Sequence, residues 1–189
     1  MAKIFISAEE LLRDSFELGV RIIESGYRPT FILGVWRGGT PVGIAIQEVL
    51  ELCGFPTDHF AIRTSSYGAG TIQDKEVKVY GLQHVADTIN SDDQLLIIDD
   101  VFDSGRSVQA IIKELKVKCR RNTPEDIRVA TVYYKPAKNK TNRVPDFHIH
   151  QTDNWLVFPH ELRGCTLEEM IESKPFDEKT IILIKEKML

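Results

Sequence analysis

The stretch 95-LLIIDDVFDSGRS-107 decides how this chain is read. An apolar run, Leu95 to Ile98, ends in two carboxylates, Asp99 and Asp100. A third, Asp103, follows after Val101 and Phe102, and then come Ser104, Gly105, Arg106 and Ser107. Consecutive branched apolar residues have the composition of a strand buried on both faces. From Ser107 onward Val108, Ile111, Ile112 and Leu115 recur at i, i+3, i+4 and i+7, which is one face of a helix. The segment therefore predicts a strand, a tight polar turn and a helix. Free amides at the start of such a helix point into the turn and favour a phosphate. A plain helix cap needs a single acid or hydroxyl, whereas this turn carries three acids. Three carboxylates beside a phosphate cradle suit a polyol held at its hydroxyls together with a divalent cation, which describes a phosphorylated sugar.

Outward from this stretch, strands and helices alternate. Ser7 and Glu10 have the spacing of a capping box, with Ile6 and Leu11 as a hydrophobic staple, so the N-terminus reads as opening directly into a helix. Leu12, Phe16, Gly19 or Val20, and Ile23 mark one apolar face, and the helix ends near Gly26. Residues 30–36 (TFILGVW) read as a strand, and the turn RGGT follows. Pro41 suits the first turn of a helix running to about Cys53. His59 to Arg63 is the next strand, and 65–76 (SSYGAGTIQDKE) reads as a loop whose two glycines suit motion. Glu76 to Tyr80 forms a short strand, Ile127 to Tyr134 a longer one, and Phe147 to Ile149 another. Leu167 to Ile171 and Asp177 to Met188 read as terminal helices. The alternation predicts one α/β domain over 1–189 with a mostly parallel central sheet flanked by helices. Its core spans about 28–161, with a helical C-terminal extension from about 166. Ligands of such sheets bind beyond the strand ends, so residues 37–39, 99–107 and 135, each just after a strand, are expected on one edge.

The gross numbers bound the function. With 189 residues, 42% of them hydrophobic, the chain can bury a sizeable core. No apolar run approaches a membrane span, and the N-terminus lacks the layout of a signal peptide. A net charge of −4 disfavours nucleic acid as the main partner. The basic runs Lys113 to Arg121 and Lys135 to Arg143 read as solvated surface. The 3 cysteines, Cys53, Cys119 and Cys165, have no zinc spacing and suit a reducing cytoplasm.

The motif at 95–107 resembles the 5-phosphoribosyl-1-diphosphate (PRPP) signature of the type I phosphoribosyltransferases. Ser104 and Ser107 stand where threonine is usual, and both keep the hydroxyl. Trp36, Arg37, Gly38 and Gly39 resemble that family's pyrophosphate loop, which implies a non-proline cis peptide there. The segments around Lys135 and Trp155 are similar to the base-recognition half of the 6-oxopurine enzymes, those for hypoxanthine, guanine and xanthine. The resemblance covers roughly Phe31 to Glu161. It implies the type I phosphoribosyltransferase fold with a small base-binding hood. It also implies transfer of phosphoribose from PRPP to a purine in nucleotide salvage, with Mg²⁺ as cofactor, in a cytoplasmic homo-oligomer, a dimer or tetramer.

What the resemblance implies for single residues follows from those motifs. Asp99 and Asp100 take the ribose hydroxyls. Asp103, Ser104, Gly105, Arg106 and Ser107 seat the 5′-phosphate, and Asp103 acts on the proton of purine N7. Arg37, Gly38 and Gly39 take the pyrophosphate. Ser66 and Tyr67, after Ser65, belong to a lid. Lys135 donates to the 6-oxo group, Trp155 stacks on the ring and Leu156 offers backbone to its opposite edge. Asp100 and Glu161 are the metal-side carboxylates; Glu161 stands where relatives have aspartate in a Pro-Trp-Asp run, here Pro159-His160-Glu161. Phe102 and His160 have no assigned role. Rival readings are a phosphoribosyltransferase for another base, a PRPP-binding regulator without catalysis, and a PRPP synthase subunit. An adenine site needs an acceptor, which Lys135 is not, and an orotate lid is lysine-rich, unlike 67–73. A regulator needs a basic face or added helix-turn-helix, and a synthase needs about twice the length.

Overall fold

β5 (Gln94–Phe102) lies inside the sheet because Leu95 to Ile98 are excluded from solvent on both faces. The structure, a computed structural model, describes residues 3–67 and 76–187; the side chains at 66, 67 and 76 are not among those described. β5 pairs in parallel with β2 (Phe31–Trp36) on one side and β6 (Asp126–Tyr134) on the other. With β3 (Asp58–Tyr67), β4 (Glu76–Tyr80) and β7 (Phe147–Gln151) they form a six-stranded sheet in the order β4-β3-β2-β5-β6-β7. All neighbours run parallel except β3 and β4. The order reverses between β2 and β5, and a crevice opens at such a reversal.

Helix α2 (Gly39–Leu52) packs on β2 and β5. Helix α4 (Arg106–Cys119) buries Val108, Ile111 and Leu115 in a core with Leu33, Val35, Leu95, Ile97 and Val129. The apolar spacing read from the sequence thus marks the buried stripe of α4. Between β4 and β5 lies α3 (Gln83–Thr88), which was not expected from the sequence. Leu82, Val85, Ala86 and Ile89 supply its signal at helical spacing, but it is a single turn and a half. Tyr27 is buried beneath the Arg128 guanidinium, 4.3 Å from the ring centroid, and donates to the Leu95 carbonyl at 2.8 Å.

The contacts divide the chain into two compact units, Leu12–Asp153 and a smaller one of Met1–Leu11 with Asn154–Leu189. In the smaller unit the chain opens in a strand, β1 (Lys3–Phe5), where a helix was expected at once. β1 pairs in parallel with β8 (Trp155–Val157), also unforeseen; three residues are too few for a period to register. α5 (Leu167–Ser173) and α6 (Glu178–Lys187) follow near their expected positions. No helix among the described residues is long and apolar enough to cross a membrane.

Helix α1 (Ala8–Glu24) carries the expected capping box: Ser7 N donates to Glu10 Oε2 at 2.8 Å and Glu10 N to Ser7 Oγ at 3.1 Å. Its buried face matches the expected one only at Gly19, with Ile23 half-buried. Leu12, Phe16 and Val20 are exposed, whereas Asp14, Ser15, Leu18 and Ile22 are buried. Counting apolar residues selected the wrong stripe because the buried one contains a carboxylate. Asp14 is tolerated there because His150 Nε2 lies 2.7 Å from Oδ2 and Arg13 donates to Oδ1 at 3.2 Å.

Candidate active site

Within the larger unit, the turns after β2, β5 and β6 meet at the crevice. The turn after β2 begins with a cis peptide between Trp36 and Arg37. Gly38 and Gly39 then carry the chain into α2 so close to β5 that side chains are excluded. A Cβ on Gly38 would sit 1.9 Å from Asp100 Oδ2, and one on Gly39 would sit 2.2 Å from the Ile98 carbonyl oxygen. Arg37 is exposed at the mouth of this contact. The amides of an unhindered glycine turn and the acids of β5 therefore share one small space.

Asp99 and Asp100 end the buried run of β5, and Asp100 is itself buried. The Asp100 amide donates to Asp99 Oδ1 at 3.0 Å. Burial and the neighbouring Asp100 charge push the Asp99 carboxyl well above the usual range, and the Asp100 and Gly39 amides pull it down only in part. The folded protein holds this proton more tightly than the unfolded chain does. The stabilisation is complete below the ordinary carboxylate value and is lost as pH rises through the raised folded value. Asp99→Asn is therefore expected to raise the Tm of the free protein near neutral pH and to leave it unchanged in acid. Equal shifts at both pH values, read by calorimetry, would show that the pair carries no such repulsion.

The turn after β5 is shaped by Gly105, whose φ of 74° lies in the left-handed region. Ser104 and Arg106 follow β5 into α4, and the Arg106 amide reaches Ser104 Oγ at 3.5 Å. A second loop supports this turn from the side of β6. Lys140 N donates to the Ser104 carbonyl at 3.0 Å, and Asn139 Oδ1 accepts from both Thr141 N and Thr141 Oγ1 at 2.9 Å. In the sequence, residues 136–145 stand out only as basic, polar surface; the Asn-Lys-Thr run is the available signal of this support. Phe102 gains a plain explanation. It is buried, edge-to-face with Tyr134 at 5.7 Å, and forms the floor under Gly105.

Lys135 directly follows β6, is 5% exposed, and donates its amide to the Phe102 carbonyl at 2.9 Å. Its Nζ lies 3.6 Å from Asp103 Oδ2, so a buried ammonium and a half-exposed carboxylate stand side by side at the crevice. An ammonium has three donors and one such neighbour leaves others to offer.

The remaining sequence candidates fall elsewhere. Ser65, Ser66 and Tyr67, read from the sequence as loop, complete β3, paired antiparallel with Lys78, Val77 and Glu76 of β4. Strand pairing outweighed the small, polar composition that suggested a loop. The expected lid at 68–75 lies outside the described residues. Trp155, Leu156 and Glu161 belong to the smaller unit. There Trp155 is half-exposed opposite Lys3, and Leu156 is buried opposite Ile4. Glu161 Oε2 accepts from Phe158 N at 3.4 Å, turning back into its own turn. His160 stacks on Phe158 with ring centroids 5.7 Å apart, which makes it a packing partner.

The donor set at Asp99 and Asp100 is chemically right for Mg²⁺: hard carboxylate oxygens, crowded so that a cation would relieve their repulsion. Among the described residues no three acid, histidine or cysteine side chains are grouped to hold a metal by themselves.

A mostly parallel α/β sheet with an acid pair, a glycine turn and a turn into a helix meeting at its switch point places this chain among the α/β proteins that hold a ligand at the strand ends. The phosphoribosyl transferase domain family matches residues 7–163, and the chain belongs to that family. Solved structures share the fold. A purine phosphoribosyltransferase from Pyrococcus horikoshii is 23% identical, covering 88% of this chain and 98% of its own, with a TM-score of 0.70. A hypothetical protein from Neisseria gonorrhoeae with bound ppGpp is 20% identical over 86% of this chain and 90% of its own, at a TM-score of 0.69. The xanthine-guanine-hypoxanthine phosphoribosyltransferase of Helicobacter pylori is 22% identical over 83% and 92%, at 0.61. No curated protein matches the chain in sequence.

Proposed function

We propose that this phosphoribosyltransferase moves the 5-phosphoribosyl group from PRPP to a 6-oxopurine, hypoxanthine, guanine or xanthine, giving a nucleoside 5′-monophosphate and pyrophosphate. The observation that carries the purine reading is Lys135 buried just after β6 beside Asp103. A lysine there can donate to a 6-oxo group and cannot accept from a 6-amino group. The Helicobacter protein is named for the three 6-oxopurines and the Pyrococcus one for purines in general, which supports this reading.

Departure of pyrophosphate leaves positive character on the sugar carbon. Asp99 and Asp100 hold the ribose hydroxyls and place negative oxygens near that charge. Arg37 and the Gly38 and Gly39 amides stabilise the leaving group. The turn 103–107 seats the 5′-phosphate on the first amides of α4, fixing the sugar while the base attacks. Asp103 takes up or hydrogen-bonds the purine N7 proton. Lys135 reads the 6-oxo group, Trp155 supplies a stacking face and the Leu156 backbone the opposite edge. Mg²⁺, held at Asp100 beside Asp99, would neutralise charge on the pyrophosphate.

Incubation with PRPP, Mg²⁺ and a panel of free bases, read as pyrophosphate and nucleotide, tests the whole reading. Nucleotide from a 6-oxopurine and none from adenine or orotate is expected; turnover of adenine or orotate instead would overturn the base class. Lys135→Ala is expected to raise the KM for the base far more than that for PRPP. An unchanged base KM would remove Lys135 from recognition.

A further inference from the structure

Inside the smaller unit, two lysines from opposite ends of the chain converge on β8 and the turn that follows it. Lys3, opposite Trp155 in the β1–β8 ladder, donates to the Gly164 carbonyl at 2.8 Å and pairs with Glu169 of α5 at 2.7 Å. Lys174, at the end of α5, is only 7% exposed, and its Nζ donates to the Phe158 carbonyl at 2.6 Å. Its backbone is fixed independently, since Lys174 N donates to the Met170 carbonyl at 3.0 Å and Phe176 N to the Lys174 carbonyl at 2.8 Å. α5 is itself anchored by a Thr166–Glu169 capping box and by buried Met170. The strut therefore runs from a rigid helix end to the residue directly after Val157.

We infer that Lys174 is a positioning residue for the base: through the Phe158 carbonyl it holds the end of β8, and so sets the place of Trp155 and Leu156. The inference rests on the base-recognition reading of those two residues given above. A buried lysine is costly, and its ammonium is held below the ordinary lysine range by burial, with Cys165 and Glu161 opposing that shift. Filling a buried position does not by itself call for an ammonium. A charge-assisted hydrogen bond to a main-chain carbonyl, by contrast, fixes one geometry.

The experiment compares wild type with Lys174→Met, which keeps length and loses the donor, and Lys174→Arg, which keeps a charged donor. Amide hydrogen exchange over 154–160 is measured beside steady-state kinetics. Lys174→Met is expected to speed exchange there but not in β5, and to raise the KM for the base about tenfold, less than the roughly 10²-fold of a full ångström misplacement. Its kcat and PRPP KM should stay near wild type, and Lys174→Arg should recover part of the base KM. Faster exchange with an unmoved base KM, or equal losses in kcat and both KM values, would overturn the positioning role. Should Lys174→Met not fold, Lys174→Gln, a shorter donor, carries the same comparison. A wild type that transfers to no purine would instead sink the functional reading, independently of the exchange result.

Discussion

Asp103→Asn is expected to lower kcat by about 10²–10⁴-fold, the usual worth of a positioned general base, while PRPP affinity changes little. The substituted amide keeps the size of the side chain and can still sit in the turn before Gly105. It cannot take up the proton that the purine loses as its new bond forms. The carboxylate is well placed for that work because it is half-exposed at the crevice, with Lys135 Nζ 3.6 Å away. In the proposed reaction Lys135 and Asp103 would divide the base between them, one donating to an oxygen and the other receiving from a nitrogen. Single-turnover kinetics with saturating PRPP separate the chemical step from binding. Losses of equal size in kcat and in PRPP affinity would mean that Asp103 serves only to shape the phosphate turn.

Gly39→Ala is expected to destabilise the protein by about 1–3 kcal/mol, the common cost of overpacking, and to weaken PRPP binding with it. The new methyl would meet the Ile98 carbonyl oxygen at 2.2 Å and Asp99 Cα at 2.8 Å. Both are main-chain atoms of the central strand, so no rotamer change relieves the contact. Either α2 moves away from β5, or β5 shifts and carries Asp99 and Asp100 out of place. Urea denaturation measures the first effect and PRPP titration the second. A variant as stable as wild type with unchanged affinity would show that the glycine turn and the acid pair are not built as one piece.

Much of this arrangement was legible in the sequence because its elements are strongly patterned. Leu95 to Ile98 could hardly be anything but a buried strand, and the Val108, Ile111, Leu115 spacing marked the core stripe of α4. The residues at the strand ends were legible for a different reason: acids closing a strand, and glycines and hydroxyls in the turn after it, have few structural uses. What escaped reading depended on contacts distant in sequence. β1 and β8 are strands only because Lys3 to Phe5 and Trp155 to Val157 pair with each other. α1 hid its inner face because Asp14 is stabilised by His150, far along the chain. Residues 65–67 look like loop in isolation and become strand only against β4. Phe102 and the loop around Asn139 likewise acquire meaning only from what they support, the turn at Gly105.

The claim on which the rest depends is that the turns after β2 and β5 together grip a ribose phosphorylated at both ends. Isothermal titration of the folded protein with PRPP in the presence of Mg²⁺ addresses it without requiring the right base. One PRPP per chain, with ribose 5-phosphate binding more weakly because it lacks the pyrophosphate, is the expected result. No binding heat at any temperature for a protein shown to be folded, or equal affinity for ribose 5-phosphate and PRPP, would contradict it.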